Sequence, residues 1–313
     1  MDVNLEQLQA FVEVARLGNF TKAAARLHLA QPSLSRQIAS LEQDLGSELF
    51  HRSRSGSTLT RAGESLLPLA RRMLADAESV RRELDELAGL QRGRVRLGAT
   101  PTLCISLVAE VLSAFCSTHP AIELHLSEQG SRRLLEQLAG GELDLALITS
   151  SGADVTERFA VTPLLVEELV VISSGSLPAL TTREAIELAD VARLPQVVFS
   201  ATYDLRGTAD AAFDAAGLAP RVVIEGPEMD AVLRFVERGI GVAIVPAVVL
   251  IDRPGLRSVR LSKPRLTRTV SLALAADSTP SAAVAAMHRT ITATASALAK
   301  RAGTAMKPAD AHA

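Results

Sequence analysis

FTKAAARLHLAQPSLSRQIASLEQDLGSELFHRSRSGSTLTR, residues 20–61, predicts two short helices followed by a basic loop rich in serine and glycine. Thr21 is the expected N-cap of the first helix, which small, strong helix formers continue. In the second helix Gln31 is the expected N-cap, Pro32 suits the first helical position, and Gly46 ends the helix. This order of elements predicts a helix-turn-helix with a wing.

The two faces of the second helix differ in chemistry. Apolar residues recur at helical spacing and predict a buried stripe of Leu34, Ile38, Leu41 and Leu45. The opposite face has small or hydrogen-bonding residues and one cation, Ser33, Ser35, Arg36, Gln37 and Ser40. A guanidinium can pair with guanine or a phosphate, and hydroxyls and amides can reach base edges. This face therefore suits a DNA major groove.

Positive charge is concentrated in this segment. Residues 21–61 hold six basic and three acidic residues, a net charge of +3, whereas the whole 313-residue chain has a net charge of −2. Bulk charge is therefore excluded as a source of DNA affinity, which would have to come from this segment. Taken singly, the polar helix face is better explained as solvated surface and residues 51–57 as a surface loop. Both features in this order favour DNA binding.

The run AxxLHLAQPSLSRQIxxLExxLGxxLFxRxxxxxxLTxAG, residues 24–63, resembles the winged helix-turn-helix of LysR-type transcriptional regulators. The resemblance implies that the recognition helix meets DNA through Gln31, Pro32, Ser33, Ser35 and Arg36. It also implies that Arg52 and Arg54 of the wing lie along the DNA backbone or minor groove. Looser motifs extend the resemblance to GELDLALI at 141–148, FDAAGLAPRVV at 213–223 and VERGIGVAIVP at 236–246.

A long helix is predicted from an N-cap at Thr60 to about residue 88, with Pro68 kinking it or displacing its early turns. Apolar residues alternate at spacings of four and three, as in a two-helix coiled coil: Leu66, Ala70, Met73, Ala77, Val80, Leu84 and Leu87. We interpret this stripe, with the exception of Ala70, as a homodimer contact. The alternative is that the stripe packs against its own domain.

From residue 93 onward strands alternate with helices, which predicts parallel sheets with covered faces. Strands are expected at 95–98, 122–126, 143–148, 169–172, 197–199, 222–224, 242–245 and 270–275. Helices are expected at 102–118, 131–138, 182–189, 205–216, 228–238 and 281–300. The resemblance implies an α/β effector domain of two periplasmic-binding-protein-like subdomains, 91–162 with 269–301 and 163–268. This domain follows an all-α winged helix-turn-helix, 1–59, and a linker helix, 60–90; the tail, 302–313, is expected to be disordered.

Hydroxyl side chains follow the predicted strands, at the edge where ligands collect in α/β sheets. We expect a small polar or anionic effector to be bound there by hydroxyls and backbone amides, from Thr100, Thr102, Ser131, Thr149, Ser200 and Thr202. Each one alone is better explained as a helix cap or turn residue. Their common location, and the matching positions in the family, favour an effector role for Thr100, Thr102 and Thr202.

Cys104 and Cys116 are the two cysteines of the chain. On one helix, twelve residues separate them by about 18 Å, whereas a disulfide needs Cα atoms within about 7 Å. Peroxide-sensing relatives keep a cysteine pair later in the effector domain, where this sequence has none. We expect buried, inert thiols rather than a redox switch.

A basic run without intervening acids, Arg253, Arg257, Arg260, Lys263, Arg265 and Arg268, occupies the region before the last strand. We expect it to be a solvated edge that discourages aggregation. A subunit contact or an auxiliary DNA contact is the alternative.

Three functions are candidates for this chain: a ligand-responsive DNA-binding regulator, a solute-binding protein, and an enzyme. The start of the chain has no basic and apolar segments of a secretion signal, which argues against the second. GxSxG, P-loop, GxGxxG-after-strand and metal-ligand patterns are missing, so no enzyme, cofactor or metal is expected. The longest uncharged apolar run, 239–251, is short of the roughly 20 residues of a membrane span.

The sequence therefore predicts a cytoplasmic transcription regulator without a membrane partner. Its expected partners are double-stranded DNA, a small-molecule effector and a second copy of the chain in a homodimer. The resemblance adds a homotetramer of two dimers that bends DNA, and allows RNA polymerase as a further partner.

Overall fold

The computed structural model describes residues 3–53, 56–87, 93–150, 158–175, 180, 184–201, 203–226, 228–250, 253–276, 279–302 and 306–309, without the side chains of residues 79, 81–87, 150 and 302. The chain divides into two compact units. The first comprises Met1–Arg92 with Glu136–Leu143, and the second Gly93–Leu135 with Asp144–Ala313.

The first unit begins with three helices, a hairpin and a long helix, which confirms the predicted helix-turn-helix and wing. The elements are α1 (Leu5–Leu17), α2 (Phe20–Arg26), α3 (Gln31–Leu45), β1 (Phe50–Ser53), β2 (Gly56–Leu59) and α4 (Arg61–Leu87). Strands β1 and β2 pair antiparallel. The predicted stripe of α3 lies in the core: Leu34, Ile38 and Leu41 are fully buried with Phe11 of α1. Burial of this stripe leaves the polar face of α3 outward.

The ends of the helices differ by one or two residues from the prediction. Asn19, not Thr21, caps α2, because its side chain accepts a hydrogen bond from Lys22 N at 2.9 Å. Gln31 is the first residue of α3 rather than its cap, and Ala30 precedes it without a side-chain cap. Gly46 ends α3 in the left-handed conformation, as predicted, with φ 66°.

The turn between α2 and α3 has a left-handed residue that is not glycine. His28 has φ 55°, and Leu29 N donates to Ala24 O at 2.9 Å across it. This 6→1 bond is the Schellman closure of a helix. The turn thereby fixes the start of α3 after only four residues.

Helix α4 begins where predicted. Some of its apolar residues pack in the core of its own domain, and others are exposed. Thr60 Oγ1 accepts from Gly63 N at 3.1 Å, and the helix continues through Pro68. Ala70 is buried in the core of the winged domain, and Leu66 packs against that core, so the predicted alternative holds for these two. Other apolar side chains stay exposed, namely Leu69 at 55%, Met73 at 50% and Val80 at 56%. The side chains of Leu84 and Leu87 lie outside the described ones.

The second unit is built on a mixed sheet in the order β4-β3-β5-β12-β6-β11-β7, with β10 and β13 also paired to β6. Its strands are β3 (Arg94–Ala99), β4 (Glu123–Glu128), β5 (Leu145–Ser150), β6 (Phe159–Ser174), β7 (Ala185–Ile186), β10 (Ala243–Pro246), β11 (Leu256–Leu261), β12 (Thr267–Ala275) and β13 (Met306–Pro308). A separate parallel pair is formed by β8 (Gln196–Phe199) and β9 (Val222–Gly226).

The helical elements of this unit cover the sheets. They are α5 (Pro101–Leu103), a π-helical turn (Cys104–Val108), α6 (Ala109–Thr118), α7 (Ser131–Ala139, of which residues 136–139 are counted with the first unit), α8 (Leu188–Arg193), α9 (Asp204–Ala215), α10 (Met229–Glu237), a 3₁₀ turn (Ala247–Leu250) and α11 (Ala282–Ala302). By length and composition one described helical stretch, Pro101–Thr118, could cross a membrane. Its residues Leu107, Val111 and Phe115 are fully buried in the protein core, as in a core helix.

Four expectations about this unit are corrected. Parallel pairing holds for β3 with β4 and β5 and for β8 with β9, but β6, β10, β12 and β13 pair antiparallel. The strand expected at 169–172 is the end of the 16-residue β6, which is shared along its length by several partners. The helix expected at 182–189 is wrong for the described part of that range, because strand β7 occupies Ala185–Ile186 and helix α8 begins only at Leu188. Part of the tail expected to be disordered is instead β13, whose Met306 is buried.

Candidate functional site

The polar face of α3 is available for contact with another molecule. Gln31, Pro32 and Arg36 are exposed, and Ser33 and Ser35 are half-buried. Gln31 Nε2 donates to Ser35 Oγ at 2.8 Å, and Arg36 Nη2 approaches Ser33 Oγ at 3.4 Å. These bonds hold the donor groups of Gln31 and Arg36 in place on the surface. Breaking them to bind another molecule costs little free energy, because exposed hydrogen bonds exchange readily with other partners.

In the wing, Arg52 has partners within its own domain. Its guanidinium lies 3.4 Å from Glu42 Oε2 and 4.7 Å from the centre of the Phe20 ring. Glu42 Oε1 accepts from Leu49 N at 2.8 Å, so one acid fixes both the entry to β1 and the arginine. The side chain of Arg52 remains 48% exposed, which leaves it able to reach an outside anion. Arg54 lies outside the described residues.

In the second unit, Ser131 and Thr149 are brought together by a carboxylate that the sequence did not reveal. Asp204, the first residue of α9, accepts from Ser131 N at 2.9 Å and from Ser131 Oγ at 2.6 Å. Ser131 Oγ also accepts from Thr149 N at 3.0 Å, and Thr149 Oγ1 lies 3.5 Å from Asp204. The N-terminus of α7, which follows β4, is therefore joined to α9, which follows β8.

Thr102 belongs to a buried ionic cluster. Arg268 Nη2 donates to Thr102 Oγ1 at 2.8 Å, and Arg268 Nε donates to Glu167 at 2.7 Å. The side chains of Arg268 and Glu167 are only 4% and 1% exposed. Thr102 thus orients a buried cation, and its hydroxyl is engaged before any ligand arrives.

Two buried hydroxyls that follow strands β3 and β8 have no hydrogen-bond partner among the described residues, namely Thr100 Oγ1 and Tyr203 Oη. Thr100 is 3% exposed and is the N-cap residue of α5, where its side chain makes no cap hydrogen bond. Unsatisfied buried hydroxyls cost about 1–3 kcal/mol each, so such groups at a strand end are candidates for ligand contacts. Ser200 is half-buried and holds the turn before α9, because its carbonyl accepts from Tyr203 N at 3.0 Å. Thr202 lies outside the described residues.

Acidic groups surround the Tyr203 phenol. Burial raises the pKa of Tyr203, and the nearby carboxylates of Glu228 and Glu128 raise it further, whereas Arg268 lowers it. Burial also raises the pKa of Cys104 to about 12, with Glu128 as the second cause. The phenol and thiol therefore stay protonated at neutral pH and act only as neutral hydrogen-bonding groups.

The basic run does not lie on a sheet edge, which corrects that part of the expectation, although the side chains of Arg260, Lys263 and Arg265 are more than half exposed, as expected. Strand β11 is paired on both sides, with β6 and β7. Cations along the run pair with acids: Arg253 with Asp230, Arg260 and Arg265 with Glu168, Lys263 with Glu187, and Arg268 with Glu167. The acids come from distant parts of the chain. The positive charge of the run is therefore uncompensated along the sequence but is paired with acids in the folded protein.

Sequence reasoning missed Asp204, Glu167 and Tyr203. Asp204 had one local signal, because an acid in the first turn of a helix is a common cap, but nothing local indicates that it reaches α7. Among the described residues, no group of three or more His, Cys, Asp or Glu side chains could hold a metal ion.

Comparison with protein families matches both parts of the chain. The model for the bacterial regulatory helix-turn-helix protein of the lysR family matches residues 5–64, and the LysR substrate binding domain matches residues 88–296. A relative from Bacillus subtilis (strain 168), named as the uncharacterized HTH-type transcriptional regulator YybE, is 33% identical over 268 residues, covering 86% of this chain and 91% of that protein.

A probable nitrogen assimilation transcriptional activator from Synechococcus elongatus is 32% identical, covering 87% of this chain and 89% of that protein. Among solved structures, a full-length OxyR variant from Pseudomonas aeruginosa superposes with a TM-score of 0.69 at 25% identity, covering 95% of each chain. CbnR complexed with its target DNA has the same fold, with a TM-score of 0.65 at 24% identity and coverage of 93% and 100%.

The curated relatives are transcription regulators rather than enzymes, which confirms that prediction. With both family domains matched in order, the chain belongs to the LysR family of DNA-binding transcription regulators and contains the effector-binding domain of that family.

Proposed function

We propose that this regulator responds to a small polar or anionic effector bound between two α/β subdomains, 91–162 with 269–301 and 163–268. The observation that supports the site is the pair of buried hydroxyls without described partners, Thr100 Oγ1 and Tyr203 Oη. Thr102, Ser131, Thr149, Ser200 and Thr202 complete the proposed set of hydroxyls. An effector that hydrogen-bonds Thr100 and Tyr203 would remove two desolvation penalties.

For DNA, we propose that the exposed face of α3 enters a major groove. Arg36 and Gln31 would read base edges, with Pro32, Ser33 and Ser35 beside them, while Arg52 and Arg54 would lie along the backbone or minor groove. The exposed residues of the face contain no carboxylate, and this supports the assignment because an acid there would repel phosphates. The protein would act in the cytoplasm, and RNA polymerase would be a further partner.

We infer that two chains pair through α4 and place two recognition helices in successive major grooves of an interrupted palindrome, about 34 Å apart. The exposed Met73 and Val80 support this pairing, and the equally exposed Leu69 joins them on one stripe. Ala77, Leu84 and Leu87 would extend the contact, while Leu66 packs partly against its own domain. Two dimers would then form a tetramer that bends DNA, and effector binding would change that bend.

The pairing is tested by Val80→Asp against Val80→Leu in the full chain. A buried charge in the seam should dissociate the dimer and weaken operator binding, whereas leucine should preserve both. Sedimentation velocity measures the oligomer. A Val80→Asp protein that sediments as the wild type would rule out this seam.

The DNA and effector proposals are tested by binding-site selection from random DNA, followed by a thermal-shift panel of small metabolites. Selection should yield an interrupted palindrome. A hit is then measured calorimetrically on Thr100→Val, which removes only a hydroxyl without a described partner. Its loss should weaken the hit about 3- to 100-fold without lowering stability. Thr292→Val, at an exposed position of α11, is the matched control; equal affinity in both variants would place the effector elsewhere.

A further inference from the structure

Asp204 occupies a position that is built to bind an anion. The backbone N–H of Ser131 at the start of the nine-residue helix α7 and the Ser131 hydroxyl both point to one carboxylate oxygen, at 2.9 and 2.6 Å. Helix N-termini attract negative charge because their free N–H groups and the helix dipole are positive. Here the anion is supplied by the chain itself, from a residue 73 positions away.

This contact is more than a helix cap, because it spans two separate sheets. α7 follows β4 of the mixed sheet, whereas α9 follows β8, which pairs only with β9 among the named strands. The carboxylate is half-buried and charge-assisted, and such bonds are about twice as strong as neutral ones. Asp204 therefore holds the ends of α7 and α9 together.

The surrounding charge opposes a second anion at the same place. Glu128 and Glu228 both act on the adjacent Tyr203, and the buried Arg268 is already paired with Glu167. An anionic group arriving with Asp204 in place would meet the Asp204 carboxylate, which already accepts from both Ser131 donors. It can gain the α7 donors only by displacing Asp204.

We propose that Asp204 is an internal ligand of the effector cleft, which fills its anion subsite and ties α9 to α7 until a stronger anionic group displaces it. The proposal rests on the proposed effector cleft and adds its regulation. Weak inorganic anions cannot displace a tethered carboxylate, because its effective concentration is high. The wild-type cleft thereby discriminates against them.

The test uses the full chain and sulfate as the probe, with sodium chloride at equal ionic strength as the reference. Asp204→Ala should unmask the subsite and bind sulfate at least about tenfold more tightly than the wild type, the change expected for one charge-assisted bond. Calorimetry gives the affinity, and a sulfate-dependent rise in melting temperature should accompany it. Adding Ser131→Ala should reduce the gain at least about threefold, because it removes one donor.

Asp214→Ala is the matched control, because it removes one exposed charge from the same helix. The proposal is overturned if Asp204→Ala binds sulfate no better than Asp214→Ala, or if the wild type binds it as tightly. Asp204→Asn keeps the side-chain shape and is judged by the same criterion if the alanine variant does not fold. Operator binding is measured separately, so a chain that selects no DNA sequence would defeat the proposed function without obscuring the sulfate result.

Discussion

Helix α3 takes its polar face from one continuous stretch, Gln31–Leu45, whereas the polar cluster of the second unit joins residues that are far apart in the chain. Thr102 meets Arg268 across 166 positions, and Ser131 meets Asp204 across 73. The polar groups of α3 bond each other across three or four positions. The polar face of α3 therefore follows from the helical spacing of nearby residues. The polar cluster of the second unit follows instead from the way the fold brings distant segments together.

This difference determines how each region tolerates change. The polar face of α3 can lose a side chain without loss of fold, because the buried stripe on the other side of the helix maintains the domain. In the second unit, the polar groups around the proposed effector site are also structural, since they connect β6, β12 and the starts of α5, α7 and α9. We therefore expect function and stability to be separable on the polar face of α3 and coupled at those polar residues of the second unit that pair with one another.

Removal of the buried cation should show this coupling most strongly. Arg268→Ala leaves Glu167 buried and uncompensated, so the free energy of unfolding of the second unit should fall by about 3–5 kcal/mol. Urea denaturation followed by circular dichroism measures the change. The matched control is Arg265→Ala, which removes an exposed partner of Glu168 and should cost at most about 1 kcal/mol. Equal losses of unfolding free energy in the two variants would show that burial of the ion pair does not determine how much its removal destabilises the protein.

The local region was largely predictable from sequence. The stripe of α3, the wing and Gly46 as terminator follow from period, propensity and the left-handed preference of glycine. Errors there were small shifts, such as Asn19 rather than Thr21 as the cap, because two polar residues near one helix start compete for the same N–H groups. The sequence could not show that Arg52 would pair with Glu42, ten positions away.

In the second region the strands and helices were mostly predicted, but their partners were not. β6 was predicted as four residues because its apolar run 169–172 is preceded by Glu167 and Glu168 and followed by Ser173, and because Pro163 interrupts its first half. The basic run was misinterpreted because its acids, Glu167, Glu168, Glu187 and Asp230, lie elsewhere in the sequence. Thr100 and Thr102 were correctly placed after the first strand of the second unit, but only the fold shows that both are buried and that the hydroxyl of Thr102 has a partner while that of Thr100 has none among the described residues.

A second prediction concerns the close packing of the first region. A Cβ at Gly63 would overlap the carbonyl oxygen of Leu49 and lie 2.8 Å from Leu59 Cδ2. Gly63→Ala should therefore destabilise the winged domain by about 1–3 kcal/mol. Gly207→Ala in α9, where a Cβ meets nothing within 4 Å, should instead stabilise by up to about 1 kcal/mol. Thermal unfolding of both variants measures the signs, and a neutral Gly63→Ala would mean that the start of α4 can shift freely.

A third prediction separates function from stability on α3. Arg36→Ala should weaken binding to the selected operator by about 1–3 kcal/mol and relax its sequence preference, with the melting temperature unchanged. Arg36→Lys keeps the charge but loses the bidentate fork, so it should retain affinity for random DNA while losing specificity. Fluorescence anisotropy on operator and scrambled duplexes makes the comparison. Wild-type specificity in both variants would exclude Arg36 from base reading.

The smallest expected effect is on the chemical reactivity of the Cys104 thiol, and it tests how well the surrounding residues exclude solvent from that thiol. At a pKa of about 12, only about one Cys104 in ten thousand is a thiolate at pH 8, and the thiolate is the reactive form. Cys116 is exposed, which corrects the expectation that both thiols are buried. Iodoacetamide should therefore label Cys116 and leave Cys104 unmodified until urea unfolds the chain, as peptide mass spectrometry would show. Glu128→Gln removes the second cause of the raised pKa but not the burial, which is the larger cause. Labelling of Cys104 in that variant should rise by less than about tenfold; labelling as fast as that of Cys116 would show that charge, rather than burial, protects the thiol.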